Sequence, residues 1–177
     1  MQALSRTMRV ATLAMAIAAT APLAAQTAAE LPGGANSLQE TYENWTVACS
    51  LQGGAKRCSL SQQELDQQSR QRVLAIELAP LADKADGTLV LPFGLLIDRG
   101  VTLRVDDSAA LPVLRFRTCV PVGCLVTLSF DGKFVAELRK GVALKISAVA
   151  DGGKDAAFSI SLKGFPAALD RTAALTK

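Results

Sequence analysis

The residues most able to do chemistry in this 177-residue chain are four cysteines, arranged as two close pairs, Cys49/Cys58 and Cys119/Cys124. Two thiols can serve as a redox centre, as part of a zinc site or as a disulfide. Thioredoxin-type redox chemistry wants two residues between the cysteines and a helix N-terminus that lowers a thiol pKa. Cys119-Val-Pro-Val-Gly-Cys124 has four residues between, and no helix signal stands beside it. Neither spacing is the C-x-x-C of a four-cysteine zinc site. Structural disulfides are left. Four cysteines allow three connectivities, and the local one, Cys49–Cys58 with Cys119–Cys124, closes two short loops between neighbouring strands.

The chain contains no histidine, which removes Ser-His-Asp and Cys-His nucleophile systems, His-ligated metals and imidazole proton shuttles. Asp83-Lys-Ala-Asp86-Gly87 and Asp106-Asp107 place acids in turns, without the five or more ordered oxygens of a calcium loop. A glycosidase pair could hide among sixteen acids, but one Trp, one Tyr and six Phe offer few sugar platforms. Gly33-Gly34 and Gly152-Gly153 read as turns, since no strand-to-helix phosphate cradle follows them. The Asn44-Trp45-Thr46 sequon reads as accidental. No catalytic residue, metal or cofactor is therefore expected. An enzyme using only Asp, Glu, Lys, Ser or Tyr is the alternative that a hydrolase screen would detect.

What must position these cysteines begins with the leader. Met1 to Arg9 is positive, Val10 to Thr20 is apolar, and Pro22 with a run of Ala follows, the three regions of a secretory signal peptide cut after Ala25. The apolar run is far short of the ~20 residues that span a bilayer, and no later segment supplies a transmembrane span. Export suits the disulfides. Of 19 Lys+Arg and 16 Asp+Glu, Arg6 and Arg9 leave with the leader, and the resulting charge near +1 gives no footprint for nucleic acid.

Residues 26–42 are small and polar and read as a flexible leader. Beyond them, alternation marks strands: Trp45, Val47 and Cys49 on one face, a Gly53-Gly54 turn, then Cys58 and Leu60, a hairpin that the first disulfide would clasp. Glu64 to Gln71 reads as a loop, Val73 to Leu78 as a strand, Asp83 to Gly87 as a turn, and Leu89 to Leu91 as a short edge. Val101, Leu103 and Val105 alternate with polar residues, and Leu114 to Thr118 does the same with Arg115 and Arg117 facing out. Val126 to Phe130, Val142 to Ala148 and Phe158 to Leu162 are further strands. Phe134 to Lys140 has helical spacing and stops before Gly141. About eight short strands without a long helix specify an all-β, single-domain antiparallel sandwich or barrel-like fold with short peripheral helical segments over residues 43–170, followed by a tail at 171–177.

One ordered set of motifs spans the mature chain. It runs from Trp45-x-Val47-x-Cys49 and Cys58 through Leu91-Pro92-Phe93-Gly94, Gly100-Val101-x-Leu103 and Phe116-x-x-Cys119-x-x-x-Gly123-Cys124 to Ser161-Leu162-Lys163-Gly164-Phe165. This order resembles the invasion-associated locus B family of proteobacterial envelope proteins. Leu125 and Val126 after Gly123-Cys124 depart from its pattern. The resemblance implies a periplasmic or surface location and, in some pathogenic members, an association with host-cell invasion. It implies no catalytic residues.

The expected function is thus binding of a protein partner in the envelope or on a host cell, with strand addition by a chaperone-like periplasmic protein as the alternative. The expected surface is the Cys119–Cys124 loop, where Val120, Pro121 and Val122 form an apolar tip beside the cationic Arg115 and Arg117. The competing role for the two valines is to cap one end of the sandwich.

Overall fold

The computed structural model describes residues 30–65, 67–68 and 72–177. The expected signal peptide, 1–25, lies outside the described residues. Among the described residues, ten strands form two antiparallel sheets. The larger sheet contains β1 (Ser37–Tyr42), β2 (Trp45–Gln52), β3 (Ala55–Leu65), β4 (Arg72–Leu81), β5 (Lys84–Leu91), β7 (Phe116–Val120) and β8 (Gly123–Phe130), in the order β1-β2-β3-β4-β5-β8-β7. The smaller has β6 (Thr102–Val105), β9 (Ala143–Val149) and β10 (Asp155–Ser161), in the order β10-β9-β6. The sheets do not close into a barrel, so the sandwich alternative is the one adopted.

Period-two burial explains the layering. On the large sheet Trp45, Val47, Leu60, Leu78, Leu89 and Val126 are buried, while their strand neighbours Thr46, Ser61, Glu77 and Thr127 face out. The inner face meets Leu103, Leu144, Ile146 and Ile160 of the small sheet. Two helices share that inner layer. Helix α1 (Gly132–Lys140) is capped by the Asp131 carboxylate, which accepts from the Phe134 N–H at 2.8 Å, and buries Phe134 and Leu138. Helix α2 (Phe165–Thr176) lies across β1 to β4. Trp45 is 1% exposed, meets the Phe165 ring edge-on at 5.1 Å and donates its indole N–H to the Ser161 carbonyl at 3.0 Å. It is a core residue with its one polar atom satisfied.

Several expected boundaries move. Residues 37–42, assigned to a flexible leader, form β1, and Leu31 before them is buried. The alternation Leu38, Glu40, Tyr42 is hidden in the sequence because its middle member is an acid. Glu40 points inward only because Arg171, 131 residues away, donates to it at 2.7 and 2.8 Å. The proposed tail boundary at 171 disappears for the same reason, since α2 runs unbroken to Thr176 and buries Thr172 and Leu175. Glu64 and Leu65 belong to β3 and not to a loop.

The turn expected at 83–87 is confined to Ala82-Asp83, and residues 84–87 already belong to β5, a central strand. Gly87 is there for close approach, not for a turn: a Cβ would sit 2.0 Å from the Glu77 carbonyl oxygen on β4. Leu114 makes only an isolated bridge to Val101, and β7 begins at Phe116 with a bulge between Phe116 and Thr118.

Candidate functional site

Both disulfides join residues that face each other across a hairpin, as the local pairing required. Cys49 and Cys58 are partners in the β2–β3 ladder, Cα atoms 4.1 Å apart, and both are buried. That bond clasps the core. Cys119 and Cys124 are partners in the β7–β8 ladder, Cα atoms 3.9 Å apart; Cys124 is buried but Cys119 is exposed. This second bond holds a surface hairpin whose tip is Pro121-Val122.

The tip is positioned from β8. Gly123 takes φ +133°, and a Cβ on it would meet the Leu91 carbonyl oxygen at 2.5 Å, so only glycine lets the hairpin seat this close to β5. The β5–β8 ladder ends with Leu91 opposite Cys124, and Phe93 lies two residues past that end. Phe93 is 61% exposed and Val122 56%. Pro121 is exposed as well, whereas Val120 is half-buried. The exposed apolar side chains of the tip are therefore Pro121 and Val122, with Val120 as their footing.

Arg115 and Arg117 are exposed as expected, and neither makes an ion pair among the described residues. The bulge at Phe116/Thr118 sets Arg117 at the rim of the sheet. Phe93, between Pro92 and Gly94 just past the end of β5, is a further exposed apolar side chain outside the expected site.

The carboxylates the fold gathers are tied into structure. Glu40 is held down to about 2 first by the Arg171 hydrogen bonds and then by the Tyr42 hydroxyl, which donates at 2.8 Å. Asp107 pairs with Lys145 at 2.8 Å and Asp170 with Arg139; each acid is lowered mainly by that hydrogen bond. Asp106 accepts from the Val142 and Ala143 N–H groups at 3.0 and 2.9 Å. Among the described residues no three Cys, Asp or Glu side chains converge as a metal cluster. An open depression of about 740 Å³ on the outer face of the large sheet is lined by Gln39, Thr46, Ser61, Glu77 and Thr88 among others. Glu77 is its one acid, so paired-carboxylate chemistry is not assembled there.

Fold and surface together define a disulfide-clasped, two-sheet β domain that presents a stiffened apolar hairpin. The invasion associated locus B family model matches residues 45–173. An invasion protein B homolog of Brucella abortus (strain 2308) is 49% identical over 152 residues, covering 85% of this chain and 87% of that one. Invasion protein B of Bartonella bacilliformis is 41% identical over 153 residues, 84% of this chain and 82% of its own. The crystal structure of invasion associated protein B from Bartonella henselae superimposes with a TM-score of 0.74 at 37% identity, covering 78% of this chain and 96% of that chain. The chain belongs to the invasion-associated locus B family.

Proposed function

We propose that this chain is an exported envelope protein, periplasmic or at the cell surface, that acts by binding another protein and not by catalysis. The observation that carries the reading is the β7–β8 tip: exposed apolar side chains on a disulfide-held turn, with two uncommitted guanidinium groups alongside. A clasped tip loses little conformational freedom on association, and Arg115 and Arg117 can grip carboxylates in a bidentate manner. The partner surface this fits is an apolar patch rimmed by acids. The absence of histidine from the chain, the engagement of its gathered acids in ion pairs, and two disulfides suited to an oxidising compartment support the rest. The names of the relatives make a part in host-cell invasion the corresponding biological setting.

Val122→Asp tests the reading more cleanly than a change at half-buried Val120. It is expected to abolish crosslinked capture of the envelope or host partner while leaving the melting temperature close to wild type. Arg115→Glu with Arg117→Glu is expected to do the same in a salt-dependent manner. Undiminished capture by both variants would refute a binding role for the hairpin.

A further inference from the structure

We propose that β1 is a self-association edge, pairing antiparallel with β1 of a second copy about a two-fold axis through Gln39. Which backbone groups of β1 are free follows from the first disulfide. The 4.1 Å Cα separation of Cys49 and Cys58 marks a non-hydrogen-bonded pair, so Cys49 turns its N–H and C=O away from β3 and toward β1. In the β1–β2 register Leu38 faces Cys49, Glu40 faces Val47 and Tyr42 faces Trp45, and these three spend their backbone groups on β2. The Leu51 N–H donating to the Asn36 carbonyl at 3.0 Å continues the same phase. Ser37, Gln39 and Thr41 therefore aim their donors and acceptors outward, and all three are exposed.

The other edges are managed. Segment 111–114 covers β6, with the Leu111 N–H donating to the Leu103 carbonyl at 2.7 Å and Leu114 bridging Val101. β7 has its bulge, Arg117 within it and Arg115 just before it, features that discourage pairing. β10 opens on Asp155, and the Ser161 carbonyl at its other end is taken by the Trp45 indole. β1 has six residues, no bulge, no proline and no charge on its outward row.

That row is self-complementary. An antiparallel copy centred on Gln39 sets Ser37 against Thr41 and Gln39 against itself, so every outward N–H meets a carbonyl. An interface that repeats one patch about a two-fold is isologous and closes at two copies. No like charges fall opposite each other: Glu40 would face Leu38, and its carboxylate is already held by Arg171. The uncharged row, with the Ser37 and Thr41 hydroxyls set opposite each other and no like charges juxtaposed, is what fits this strand to a second copy of itself.

Sedimentation equilibrium of the purified protein tests this. Wild type is expected to show a monomer–dimer equilibrium, and Gln39→Lys or Gln39→Glu alone to weaken it about fivefold, because each puts like charges directly opposite. An equimolar mixture of the two variants is expected to recover the wild-type association. Their melting temperatures as monomers should match wild type, since the Gln39 side chain is exposed. Amide exchange at Gln39 and Thr41 should slow as concentration rises. A wild type that stays monomeric, with another segment or protein on this edge, overturns the proposal, as does a dimer that ignores both substitutions.

Discussion

Replacing each cysteine pair by alanine separates a clasp of the core from a clasp of the surface. The sequence separations are 9 for Cys49–Cys58 and 5 for Cys119–Cys124. Loop-closure entropy alone assigns them about 2.7 and about 2.2 kcal/mol. Burial widens the gap. Cys49 and Cys58 are 4% and 9% exposed, so losing both sulfurs opens space in the core, at about 1 kcal/mol each. At the other site only Cys124 is buried, and its partner faces solvent. The totals are about 4.7 kcal/mol for the β2–β3 clasp and about 3.2 for the hairpin clasp. At ~3 °C per kcal/mol for a domain of this size, the midpoint of thermal unfolding followed by circular dichroism should drop by about 14 °C and about 10 °C. Partner capture should be retained by the first variant below its transition and lost by the second, whose tip is no longer held. An equal or reversed order of stability would refute the division into core and surface clasps.

Two further outcomes follow from polar groups on the inward side of the large sheet. The folded Glu40 carboxyl sits near 2, below its ordinary 4.5, so its contribution is complete above about 4.5 and is lost as pH falls toward 2; denaturant midpoints of wild type and Glu40→Gln should differ at neutral pH and converge at the acid end of that window. Gln62 is 5% exposed, donates to Glu64 at 2.9 Å and leaves its own carbonyl oxygen without a partner, so Gln62→Leu is expected to raise stability by about 1 kcal/mol in urea titration, and a loss of that size would show the amide to be satisfied.

Much of this protein is local physics and could be read from the chain alone. A strand with one buried face must alternate, and Val101 to Val105 and Leu144 to Ala148 do so because their polar neighbours reach solvent directly. Asp131 caps α1 from three residues away, and each cysteine finds its partner within nine. The two-disulfide framework, the all-β class and the family resemblance follow from features of that range. What the tertiary structure alone decided depends on partners distant in sequence. Glu40 can occupy an inward position of β1 only because α2 delivers Arg171, so an acid broke the pattern that would have revealed the strand. Gly87 is a turn residue by type and a central-strand residue by contact, since only the β4 carbonyl beside it makes a side chain impossible. β7 becomes a bulged edge while β1 stays regular through strand order and register. Alternation tells which face of a strand is buried; it carries no information on which strand lies next to it, and the candidate surfaces of this protein are made at those neighbours.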